Sequence, residues 1–206
     1  ICDKAGIDVW KLIDLANKHP RVNILKPGSG VGGHCIAVDP YFITSKFPIE
    51  SKLIGTAREI NNYKALWCIE KIEIAKLEFE LKNGRKPIIA LMGLAFKPNI
   101  DDIRESPASF ITSKIIENLS EAEYFIVDPN ILNNSKYKLS DSHKAIKSSD
   151  IIVFLVAHNE FRSLKICKEN MYFFIFVLSI SIKPTRQVKI ITKDVYIIAH
   201  KILFII

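Results

Sequence analysis

The amino-acid sequence predicts an α/β fold in two parts, a helical region over residues 1–84 and a parallel-sheet domain over residues 85–206. Two observations carry this expectation. From about Ser51 to Lys82 there is no proline and a single glycine, Gly55, so the backbone can run as one long helix. After Asn83-Gly84 the pattern changes to apolar runs alternating with helical stretches. Continuous apolar strands joined by helices imply a parallel sheet covered on both faces.

Residues 2–18 (CDKAGIDVWKLIDLANK) place Ile7, Trp10, Leu12, Ile13 and Leu15 at roughly helical spacing, which predicts a short amphipathic helix or a helix pair. His19-Pro20 ends it, because a residue before proline is pushed out of the α region. Residues 26–40 (KPGSGVGGHCIAVDP) hold four glycines and two prolines and read as a loop in unusual backbone conformations. In the long helix, Leu53, Ile54, Ala57, Ile60, Leu66, Trp67, Ile69, Ile72, Leu77 and Leu81 supply apolar faces. It is longer than a small domain needs, so it reads either as a spine or dimer contact or as a plain core helix. Gly84 is the expected cap at its end.

Beyond it, IIALMGL (88–94) reads as a buried strand, and SPASFITSKIIENL (106–119) as a helix capped by Ser106 with Pro107 in its first turn. YFIVD (124–128) is a second strand, residues 141–148 a short helix, and IIVFLVA (151–157) a third strand. From about Met171 the apolar runs are broken by Lys183-Pro184 and Lys193-Asp194, and each is shorter than the roughly 20 residues that span a bilayer. A final strand is expected in YFFIFVLSISI; the last stretch carries no assignment. The chain starts at Ile1, not Met, with residues that read as the inside of a helix, which suggests a piece of a longer protein.

Apolar content of 49% and charged content of 25% fit a globular protein. The net charge of +7 is mostly scattered lysine without interleaved aromatics, so neither a nucleic-acid nor a membrane partner is expected. Cys2, Cys35, Cys68 and Cys167 form no closely spaced pair. They read as neither a metal site nor a disulfide framework, and they fit a reducing, cytoplasmic location.

Gly28, Gly30 and Gly33 spell GxGxxG, but a dinucleotide-binding turn needs a strand before it and a helix opening within it. Pro40 argues against such a helix, so the glycines read instead as letting the backbone approach a ligand and leave the Cys35 thiol exposed. His34 adjoins that thiol, and Asp39 follows four residues later, within reach if the loop turns helically. An accessible thiol in polar surroundings with a carboxylate nearby suits covalent acyl chemistry, in which a thioester forms on sulfur and is then hydrolysed.

Three separated motifs, NILKPGSGVGGHCIAVDPYF (23–42), TAREINNYK (56–64) and GLAFKPNIDDIRESPA (93–108), resemble the UDP-glucose/GDP-mannose dehydrogenase family over roughly residues 1–165. GGHC followed by IAVDP is similar to its N-acetylhexosamine branch. The resemblance implies a Rossmann-like UDP-binding domain and an NAD-dependent four-electron oxidation of a UDP-N-acetylhexosamine to the uronic acid, feeding surface-polysaccharide synthesis. UDP-N-acetylmannosamine is the leading substrate, ahead of UDP-N-acetylglucosamine and UDP-glucose.

It assigns Cys35 as nucleophile and Asp39 as the group that helps water release the product. It assigns His19, Arg21, Gly32, Phe96 and Lys97 to the nucleotide sugar and Arg104 to the cofactor. It further implies a homodimer through the helix at 51–82, with Arg21 serving the partner's site. Asp101 and Asp102 are left outside the site, as residues that cap or pair with neighbours.

The family's NAD-binding glycine fingerprint and catalytic lysine have no counterpart in the 206 residues, and its usual ending is not visible after about Lys165. The chain alone is therefore expected not to turn over substrate. Rival readings are an inactive nucleotide-sugar-binding and dimerisation module, a UDP-glucose 6-dehydrogenase and, last, a DNA-binding protein.

Overall fold

The computed structural model describes residues 1–119, 121–132 and 136–164, and the backbone of two strands at 172–175 and 189–190. Cys167 and the rest of the tail after Met171 lie outside the described residues. Along the chain run α1 (Cys2–Ala5), α2 (Val9–Ala16), α3 (Asp39–Lys46), α4 (Lys52–Asn83), β1 (Ile88–Met92), α5 (Pro107–Asn118), β2 (Glu123–Val127), α6 (Ser142–Ser148), β3 (Ile151–Phe154), β4 (Tyr172–Ile175) and β5 (Lys189–Ile190).

The expected helix pair is α1 and α2. Gly6 closes α1 at φ 67. Asp8 caps α2, its carboxylate accepting the Trp10 and Lys11 amides. The loop that follows ends earlier than expected. Asp39 already begins α3, with Pro40 in its first turn, where the missing N–H costs no helical bond.

The long helix forms as expected, with 32 residues closed by Gly84 at φ 65. It buries Ala65, Cys68, Ile69, Ile72, Ala75 and Phe79, which recur every three or four residues and so share one face.

All five strands are parallel, in the order β2-β1-β3-β4-β5. Alternate residues of β1 and β3 face opposite ways. Ile89, Leu91, Ile151 and Val153 meet the buried face of α4 together with Ile111 and Ile115 of α5. Ala90, Met92, Ile152 and Phe154 meet Ala145 and Ile146 of α6 and Phe161 in the 3-10 turn Asn159–Ser163. Burial on both sides is why these strands are apolar throughout.

The strands are shorter than the apolar runs that code for them. Gly93 leaves β1 at φ +100, and a Cβ there would stand 2.5 Å from that of Val156. The backbone just past β1 thus lies close against the segment just past β3. The connection from β1 runs to β2 on one side, and the next strand, β3, lies on β1's other side. The crevice between the carboxyl ends of β1 and β3 is the point where such sheets bind ligands. Among the described residues no helix is long and apolar enough to cross a membrane.

Candidate functional site

A cavity of about 300 Å³ occupies that crevice. The loop after β1 contributes Phe96 and Lys97, the segment after β3 contributes Val156 and Arg162, and the glycine-rich loop contributes Lys26 and Gly28. Three cationic side chains therefore border one cleft, a setting suited to an anionic ligand.

The loop carrying Cys35 is fixed from three directions. Ser29 Oγ donates to the Leu155 carbonyl at 3.1 Å, tying it to the end of β3. Asn61 of α4 holds Val31 with two bonds, its Oδ1 accepting the Val31 amide at 2.7 Å and its Nδ2 donating to the Val31 carbonyl at 3.1 Å. The third fastening is steric. A Cβ on Gly32 would lie 2.1 Å from the Glu105 carbonyl oxygen, and one on Gly33, at φ +97, would lie 2.9 Å from the Phe96 ring. The absent side chains let this loop lie flat on the loop between β1 and α5.

Gly32 and Gly33 are buried while His34 and Cys35 are exposed, so the loop is anchored and its thiol presented. Cys35 Sγ lies 3.6 Å from His34 Nδ1. The Val38 and Asp39 amides both donate to the Cys35 carbonyl, at 3.0 and 2.8 Å, which makes the one helical turn that brings Asp39 around to the side of Cys35.

Arg104 forks onto Asp102, Nε at 3.0 Å from both oxygens and Nη2 at 2.6 Å from Oδ2, as expected of an aspartate that pairs with a neighbour. Hydrogen bonding from Arg104 holds the Asp102 carboxyl down to about 2, and His34 contributes a little. The bond to Asp102 and its charge push the Arg104 guanidinium up, with a further contribution from Cys35, so the cation stands within electrostatic reach of the thiol. Cys68 contrasts with Cys35. It is fully buried in α4, and burial pushes its thiol up to about 12 despite the opposing charge of Lys64.

Cys35, Gly32, Phe96, Lys97 and Arg104 thus come from two distant stretches of sequence into one neighbourhood. Of the expected site residues only Phe96 and Lys97 line the cavity itself; Gly32, Cys35, Asp39 and Arg104 lie beside it, and His19 and Arg21 sit on the exposed loop after α2, where the Arg21 amide donates to His19 Nδ1 at 3.2 Å. Sequence reasoning missed Lys26 and Arg162. Arg162 lies just past the third strand, as Lys97 lies just past the first, and that position was the available signal.

The amino-terminal 63 residues match the central domain of the UDP-glucose/GDP-mannose dehydrogenase family, and residues 90–176 match the UDP binding domain of the same family. The chain is 46% identical over 173 residues to a UDP-N-acetyl-D-mannosamine dehydrogenase of Yersinia pestis, covering 80% of this chain and 41% of that protein. It is 48% identical over 169 residues to one of Campylobacter jejuni, covering 78% and 40%. Among solved structures, the UDP-N-acetyl-mannosamine dehydrogenase of Staphylococcus aureus superposes with a TM-score of 0.73 at 34% identity, over 91% of this chain and 44% of that one. The chain spans about two fifths of the length of the curated relatives it matches.

Proposed function

The chain belongs to the UDP-glucose/GDP-mannose dehydrogenase family, and we propose that it supplies the nucleophile and the nucleotide-binding half of an NAD-dependent UDP-N-acetylhexosamine dehydrogenase. The observation that carries this reading is the exposed Cys35 on a loop locked against the cleft between β1 and β3. The names of the relatives favour UDP-N-acetyl-D-mannosamine as substrate.

Lys26, Lys97 and Arg162 hold the diphosphate, and Phe96 packs against the uridine or sugar beside it. His19 and Arg21 serve the sugar nucleotide, Arg21 that of a partner subunit. The backbone of Gly32 meets the sugar.

Two molecules of NAD, bound in turn, would each accept one hydride. The run from Gly28 to Gly33 does not fit NAD, since no strand precedes the run and α3 starts only at Asp39. Arg104 does fit its pyrophosphate, as a guanidinium oriented by Asp102 and 65% exposed. When the sugar's primary alcohol has become an aldehyde, the Cys35 sulfur adds to that carbon and the carbonyl oxygen takes a proton. Loss of a second hydride from the same carbon, with the hydroxyl proton passing to solvent, leaves a thioester on Cys35. Water, relieved of a proton by Asp39, attacks the thioester carbon, the C–S bond breaks, and the carboxylate leaves while the thiol re-forms. Holding the aldehyde on sulfur keeps it from escaping between the two oxidations.

Along α4, Leu53, Ile60, Leu77 and Leu81 are 83, 65, 53 and 88% exposed, an apolar stripe suited to a homodimer. The thiols of Cys2, Cys35 and Cys68 are free, which suits a cytoplasmic setting.

The test is alkylation. Iodoacetamide is expected to label Cys35 well before Cys68, and UDP-N-acetylmannosamine to slow it. Equal labelling of the two cysteines, with no protection by the nucleotide sugar, refutes the reading.

A further inference from the structure

Around the cleft, at the carboxyl ends of β1, β2 and β3, lies a knot of buried polar groups with no part in the chemistry above. At its centre is His158, fully buried just past β3. The Asn99 amide donates to its Nδ1 at 3.0 Å, and Asn130 Nδ2 lies 2.6 Å from the same nitrogen. A nitrogen facing two N–H donors is an acceptor, so the ring is neutral and carries its proton on Nε2. That Nε2 lies 3.2 Å from Asp128 Oδ2, although its N–H is not aimed squarely at the oxygen.

Asp128 in turn accepts the Leu94 and Ala95 amides at 2.7 and 3.1 Å and the Asn130 amide at 3.0 Å. The β1–α5 loop is therefore pinned at both ends of its first turn, Leu94 and Ala95 on Asp128 and Asn99 on His158. Between the pins stand Phe96 and Lys97. Asn99 holds a left-handed φ of 62, and its side-chain oxygen accepts the Asn159 amide at 2.8 Å. A non-glycine residue stays in that region only when its surroundings hold it there.

We infer that His158 is a positioning residue for the nucleotide: by accepting the Asn99 amide it fixes the turn that presents Phe96 and Lys97 to the cleft. The inference rests on the nucleotide-binding reading of that cleft. It assigns the effect to one ring nitrogen, and two substitutions separate the ring's two ends. In His158→Asn the side-chain oxygen falls near the place of Nδ1 and keeps an acceptor for Asn99. In His158→Gln the amide reaches the place of Nε2 and leaves Asn99 without one.

The experiment measures amide hydrogen exchange over residues 94–99 and the affinity for UDP by calorimetry, on the chain as it stands, with melting temperatures alongside. In His158→Asn, exchange and UDP affinity are expected to stay within about threefold of the unaltered chain, whereas in His158→Gln both worsen by about tenfold, with the two variants melting within a few degrees of each other. Should both variants fail to fold, the imidazole nitrogen resonances of the unaltered chain decide: a bare Nδ1 coupled to the Asn99 amide is expected, and a proton on Nδ1 overturns the assignment. Matching behaviour of the Asn and Gln variants, or faster exchange with unchanged UDP affinity, overturns the assignment. If the unaltered chain binds no UDP while loop exchange still separates the variants, the nucleotide reading falls and His158 stands as anchor of the loop alone.

Discussion

At Gly32 two loops approach so closely that no side chain fits between them. From sequence, paired glycines before a cysteine suggest room for a ligand. In the fold, the space a side chain would take is already filled by the Glu105 carbonyl and by Pro107. Gly32→Ala therefore forces the backbones apart, and a loss of about 1–3 kcal/mol is expected, as for other overpacked positions, visible as a lower urea midpoint. No loss would mean that the two loops slide freely.

Asp128 was not legible as a buried anion, because its partners converge only once three strands are in register. Burial pushes its carboxyl up, but the close approach of His158 and the bonds from the Leu94 and Asn130 amides outweigh this and leave it below the ordinary carboxylate range. A depressed folded value means the stabilisation is fully present above the unfolded value near 3.9 and is lost as pH falls through the folded one. Asp128→Asn is thus expected to be less stable at pH 7 and to lose less of its remaining stability on acidification below about pH 4. Urea titrations across pH compare the two slopes, and parallel curves would contradict this origin of the shift.

At the scale of elements, α4 was legible in length and both ends, because an uninterrupted run and a terminal glycine are local signals. Which face it buries was not legible, since apolar residues occur all round it. The structure turns Cys68, Ile72 and Ala75 inward and leaves Leu53, Leu77 and Leu81 outside. If that outer stripe joins two copies, Leu77→Lys combined with Leu81→Lys should yield monomers by light scattering with the helical circular dichroism unchanged. Persisting dimers would place the contact elsewhere.

The inner side of the helix also carries Asn61, whose grip on Val31 ties the helix to the Cys35 loop. Asn61→Ala removes both bonds to half-exposed backbone groups, at about 1 kcal/mol each, and is expected to lower the melting temperature and to weaken nucleotide-sugar protection of Cys35. Unaltered protection would show that the other fastenings suffice. The start of α3 at Asp39 escaped sequence reasoning because proline was weighed as a helix breaker and not as a first-turn residue.

For the molecule as a whole, the alternation of elements made a parallel sheet legible, but the strand order was not, because nothing local states on which side of β1 the third strand lands. That order places the crevice, and the crevice gathers residues near positions 26, 30, 96 and 162 that share no local pattern. Joined to the remaining length of a relative such as the one from Campylobacter jejuni, the chain is expected to support NADH formation from UDP-N-acetylmannosamine, with Cys35→Ser abolishing it. A fusion that binds the nucleotide sugar yet forms no NADH would favour an inactive binding module.

The contact between the Gly33 backbone and the Phe96 ring has a practical corollary. The Phe96 ring borders the cavity on one side and the strip of chain that leads to Cys35 on the other. An environment-sensitive dye tethered to Cys35 should accordingly change its emission when the adjoining cavity is filled, turning that thiol into an optical gauge of occupancy.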